Sequence, residues 1–85
     1  MAVEVKSFIG RSPIKDLRDA LGQFVWYADI LERTEPTRIM YLAIRQAVFI
    51  NLFEEEPIGN ILIENQRIRL IVFDPKSEEI VKWIP

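Results

Sequence analysis

A carboxylate and an ammonium two residues apart, Glu4 and Lys6, stand in the segment Ala2-Val3-Glu4-Val5-Lys6-Ser7-Phe8. On an extended strand, residues i and i+2 project from one face with Cα atoms roughly 6.5 Å apart. So placed, Glu4 could ligate a hard cation such as Mg²⁺ or Mn²⁺ while Lys6 orients or deprotonates a water for attack on a phosphodiester. The same alternation is also what a solvated strand face looks like, and it is commonplace. Gln23 and Tyr27 form a second pair, spaced i, i+4 and therefore on one face of a helix. That face lies to the side of the main apolar stripe. Gln23 could bond a phosphate or position an active-site group, with Tyr27 capping it; two residues at the border between core and solvent would show the same spacing.

A third feature concerns a partner. Trp26 and Ile30, also i, i+4, fall on the side opposite the stripe of Leu17, Leu21, Phe24 and Leu31. A helix apolar on two sides is sandwiched between two layers, so Trp26 and Ile30 are candidate partner-binding residues. The other charged groups read as structure. Glu54-Glu55-Glu56 imitates an acidic metal cluster, but consecutive residues do not converge on one ion. Lys15, Arg18, Arg67 and Arg69 read as solvated surface.

Composition narrows the chemistry. The 85 residues hold no Cys and no His, which excludes thiol chemistry, disulfides, His-type metal sites and both serine–histidine and cysteine–histidine catalysis. A net charge of -2 argues against a broad basic surface for nucleic acid. Apolar residues make up 49% of the chain, enough for one core-forming domain spanning 1–85, and no apolar run approaches membrane-spanning length. The expectation is a single soluble, cytoplasmic domain.

The elements that must position these residues follow from pattern. Ala2 to Phe8 alternates with period two and predicts a strand. Gly10-Arg11-Ser12-Pro13 predicts a turn launching a helix, with Ser12 as N-cap and Pro13 at the first helical position. The apolar spacing from Ile14 to Leu31 sustains that helix to about Thr34, where Pro36 ends it. Arg38 to Ile44 predicts a buried strand. Strand, helix, strand is a βαβ crossover, which makes the two strands parallel and the connection right-handed. A short helix over Arg45–Phe53 and another from the Glu54-Glu55-Glu56-Pro57 run to about Asn65 come next. A strand over Arg67–Phe73, a turn at Asp74-Pro75-Lys76-Ser77 and an antiparallel strand over Glu79–Ile84 close the chain.

Taken in order, Val3-Glu4-Val5-Lys6-Ser7-Phe8, Ala20-Leu21-Gly22-Gln23-Phe24 with Tyr27, Tyr41-Leu42-Ala43-Ile44, and Leu70 to Asp74-Pro75 followed by Ile80-Val81-Lys82-Trp83-Ile84 resemble the XisH family. These are the fdxN-element excision controlling factors of cyanobacteria. The resemblance implies an α/β fold: a truncated restriction-endonuclease-like core of the PD-(D/E)xK class, its βαβ crossover followed by helices and a C-terminal antiparallel hairpin. Glu4 and Lys6 then match the E-x-K half of the nuclease motif, with Glu4 the metal ligand, and Gln23 and Tyr27 match a Q-x-x-x-Y helix signature. The resemblance further implies a role in programmed DNA-element excision during heterocyst development, beside an XisI-like partner protein. Family members carry a further N-terminal segment with the aspartate that completes the metal site, and no Asp precedes Glu4 here. The expectation is therefore a non-catalytic or partner-dependent protein, self-associating or completed by a second chain through the open edge of the first strand. One alternative is a Mg²⁺- or Mn²⁺-dependent DNA endonuclease whose missing acid comes in trans or from elsewhere in the chain, Asp29 being the nearest on the helix. The other is an interaction module that binds an XisI-like protein through the strand edge and the Trp26 side.

Overall fold

Period-two alternation makes Ala2–Val5 the first strand, β1. The computed structural model describes residues 1–8, 12–55 and 57–85. The turn expected at Gly10-Arg11 lies outside the described residues, as does Glu56 of the acidic run. Ser12 stands at φ -119° and ψ 105°, and its hydroxyl accepts the Lys15 N–H at 3.2 Å, which satisfies one of the free donors at the helix start. Pro13 follows and opens α1, Pro13–Thr34. The helix ends where Pro36 disfavours helical geometry for the residue before it: Glu35 turns to φ -144° while its N–H still reaches the Leu31 carbonyl. Leu17, Ala20 and Phe24 are buried along α1, with Leu21, Ala28 and Leu31 packed beside them.

α1 returns the chain to β2, Met40–Arg45, which runs parallel to β1 with Ala2 opposite Met40 and Val5 opposite Ala43. Two helical pieces then cross to β3, Leu70–Asp74, again parallel to β2. β3 turns into the antiparallel β4, Glu79–Ile84, with a bulge near Val72 and Phe73. The Asp74 carboxylate accepts the Lys76 N–H at 2.9 Å and fixes that turn. The sheet order is β1-β2-β3-β4.

The crossover from β2 to β3 departs from expectation. A helix does follow Arg45, but α2, Gln46–Phe49, widens into a π-helical turn over Ile50–Glu54, with the Glu55 N–H bonded to the Ile50 carbonyl at 2.9 Å. Glu54 therefore closes this turn instead of opening the next helix. α3, Pro57–Glu64, has no acid in its first turn. The wider winding leaves room for Gly59 to sit directly against the Leu52 backbone, where a Cβ would overlap the Leu52 carbonyl.

Every helix contributes to one core. Leu42, Ile44, Leu70 and Val72 project from the sheet into it and are fully enclosed by α1, Phe49, Leu52 and Phe53. Burying a side chain of this size is worth about 1.5–3 kcal/mol. The opposite sheet face carries a smaller cluster of Tyr41, Ala43 and Ile71 with Phe73, strand residues alone, and the Trp83 ring packs on Tyr41 at 4.9 Å between centroids. No helix among the described residues is long and apolar enough to cross a membrane.

Candidate functional site

Which face of β1 meets the helices decides the site. Ala2 belongs to the helix-side core, and Glu4 and Lys6 share its parity, so the charged pair is turned toward α1 and half-buried. Val3 and Val5 take the other face, 45% and 63% exposed. The E-x-K face is thus the more covered one, the reverse of a solvated charged face.

Above Glu4, the flank of α1 supplies Tyr27 and Ile30. Together with Ala2, Val3 and Met40 they line a shallow, largely apolar groove of about 260 Å³. Glu4 and Tyr27, far apart in sequence, therefore meet in one depression. Gln23 is exposed and does not line it. Because β1 and β2 are parallel, α1 runs antiparallel to both, and Gln23 sits one turn from Tyr27 toward the Lys6 end of β1. Of the four candidate residues, the groove brings together Glu4 and Tyr27, while Lys6 and Gln23 do not line it.

Trp26 is 66% exposed and stacks on Tyr27 at 6.3 Å, while Ile30 enters the groove. Ile30 thus lies on the flank that overhangs β1, while Trp26 lines no part of the groove and stays, as its spacing predicts, on the side of α1 away from the core stripe.

The donor set does not fit a divalent ion. Glu4 is the sole acid lining the groove, and no group of three His, Cys, Asp or Glu side chains converges anywhere among the described residues. Mg²⁺ bound through a single carboxylate lacks the charge that a second would supply. Asp29 does not fill the gap. It lines a different groove, of about 360 Å³, with Glu32, Arg38 and Arg69 near the N-terminal ends of β2 and β3. That polar groove escaped the sequence pattern because its charges come from α1, the loop after it and the residue before β3. Arg38 there is held by the Glu35 carboxylate at 3.0 Å.

A parallel β1-β2-β3 layer, one long crossover helix and an E-x-K strand under that helix define an α/β protein of the kind formed by the relatives of this chain. Residues 1–81 match the XisH family, described as XisH protein, and the chain belongs to that family. An XisH family protein from Nostoc punctiforme PCC 73102 superposes with a TM-score of 0.88 at 36% identity, over 98% of this chain and 65% of its own. A fdxN element excision controlling factor protein from Anabaena variabilis gives 0.86 at 39% identity, over 98% of this chain and 64% of its own. The chain therefore spans somewhat less than two thirds of either relative's length. No curated protein matches it.

Proposed function

We propose that this chain serves as an excision controlling factor of the fdxN-element type, acting through a partner instead of cutting DNA itself. The observation that carries this is the single carboxylate of the Glu4 groove, set in a chain that matches the XisH family over residues 1–81. The family relation supports the role in DNA-element excision, and the lone acid argues against autonomous phosphodiester cleavage. Glu4 and Lys6, with Gln23 and Tyr27 above them, are then an endonuclease-like half-site that holds or orients a partner's group. An XisI-like protein is the partner proposed, with Trp26 and Ile30 as its apolar footing, and the cytoplasm the compartment. Direct nonspecific binding to DNA is weak in this reading, because a chain of net charge -2 releases few counterions from the duplex.

Plasmid nicking with Mg²⁺ or Mn²⁺ tests it, comparing the chain with a Glu4→Ala/Lys6→Ala double variant. The expected result is equal silence in both, with an XisI-like protein retained on the immobilised chain and lost on Trp26→Ala/Ile30→Ala. Nicking by the native chain that vanishes in the double variant would overturn the non-catalytic reading. It would make this a metal-dependent endonuclease with its second acid supplied in trans.

A further inference from the structure

α1 carries two stripes. Leu17, Leu21, Phe24, Ala28 and Leu31 face the core. Two positions before each of them, about 200° round the helix, run Lys15, Asp19, Gly22, Trp26 and Asp29, and Arg33 extends that line by one more step. All six are exposed. Their spacing of four, three, four, three and four is that of a seam along which one helix packs on another. Gly22 is the informative member. In a helix interior glycine is the weakest helix former after proline. Its backbone here has no positive φ, and among the described residues nothing stands within 4 Å of a would-be Cβ, so no contact within the chain requires a glycine there. One turn on stands Trp26, 66% exposed. A notch open to solvent beside an exposed indole lets a second backbone or a bulky side chain come close.

We infer that this stripe seats a helix of another protein whose charges run in the inverse sense: acidic at the two ends, basic next to them, with a large apolar side chain over Gly22 and against Trp26. Such a seat belongs to the partner-dependent reading above and rests on it. Charge decides against a second copy of this chain. The stripe reads basic, acidic, Gly22, Trp26, acidic, basic, a charge order that is the same in both directions. A parallel copy sets every charge against its own kind. An antiparallel copy, in the register that pairs the whole stripe, sets Lys15 against Arg33 and Asp19 against Asp29. Both arrangements repel, whereas a helix of inverse pattern attracts at all four charged positions whichever way it runs. In the free chain Lys15 holds Asp19 at 3.3 Å, an exposed contact readily exchanged for one across the seam. Val25 and Ile30, 47% and 41% exposed, flank the notch and the indole and widen the apolar contact on either side.

Titration calorimetry of a purified XisI-like protein into the native chain, Trp26→Ala, Gly22→Ala and Gly22→Leu reads the notch. The space at Gly22 is open on the chain's own side, so both of its variants fold, which thermal unfolding checks. Gly22→Ala, the more stable chain by itself, binds about tenfold more weakly than the native chain, and Gly22→Leu about a hundredfold. A residue that mattered to folding alone would not lower affinity while raising stability. The exchange Lys15→Asp/Asp19→Lys/Asp29→Arg/Arg33→Asp keeps the net charge and inverts the stripe. It lowers affinity about tenfold at low ionic strength, and by less in about 0.5 M salt. A native chain that binds no XisI-like protein overturns the partner reading and the helix seat with it. Binding that Trp26→Ala abolishes, but that Gly22→Leu and the charge exchange leave within about twofold, overturns the helix seat alone. Self-association of the native chain in sedimentation equilibrium that Gly22→Leu removes overturns it as well, since the occupant is then a second copy.

Discussion

Gly59→Ala separates close backbone packing from ordinary helix propensity. In α3 an added methyl would overlap the Leu52 carbonyl and stand 3.1 Å from the Phe53 ring. The ring can yield by tenths of an ångström, but the carbonyl belongs to the π-helical turn and moves only if α3 or that turn moves. Overpacking of a core costs about 1–3 kcal/mol, and contact with backbone puts this case near 3. Alanine returns about 1 kcal/mol as the better helix former. The net loss is then about 2 kcal/mol, a fall in Tm of about 8–16 °C for a domain of this size. Gly22→Ala is the matched control: it lies within α1, with nothing within 4 Å of its would-be Cβ. There only the propensity gain acts, and Tm rises by about 4–8 °C. Thermal unfolding followed by far-ultraviolet circular dichroism measures both. If the two alanines shift Tm in the same direction, the packing of Gly59 against Leu52 is not as described.

Three further outcomes follow from the same packing. Ser12→Ala removes the cap that holds the Lys15 N–H and lowers stability by about 1 kcal/mol in urea titration. Leu42→Ala, at a fully enclosed position, costs about 2–5 kcal/mol, whereas Val81→Ala on the exposed edge strand stays within about 0.5. At submicromolar concentration acrylamide quenches the fluorescence of Trp83→Phe, which retains the open Trp26, more strongly than that of Trp26→Phe, which retains the Trp83 packed on Tyr41. The reverse order would mean that the two indoles have been assigned the wrong environments.

Local chemistry made much of the fold readable in advance. Ser12-Pro13 and Pro36 bracket α1 because a cap, a preset φ and a pre-proline restriction act within a residue or two. Asp74-Pro75 marks the β3–β4 turn for the same reason. The π-helical turn at Ile50–Glu54 was not readable, since one wide turn has no local composition of its own and arises from the packing of α3 on it. At the site, alternation put Glu4 and Lys6 on one face but could not say which face the helices cover. That follows from Ala2 joining the core and from the parallel register of Ala2 with Met40. The meeting of Glu4 with Tyr27 and Ile30 is equally non-local. Helical angles placed Ile30 away from the core stripe, yet only the docking of α1 over β1 decides that its flank overhangs the strand.

The register of β1 also fixes when it can form. Its neighbour among the described residues is β2, and Ala2 must wait for Met40 across the whole of α1, whereas β3 and β4 close through a four-residue turn. Loop-closure entropy rises with the span, by about 0.6 kcal/mol per doubling, so the C-terminal hairpin is the cheap early pairing and β1 the late one. β1 thus pairs with β2 later than the two strands after it close on one another. Four residues long, β1 also has few backbone bonds of its own to β2 among the described residues.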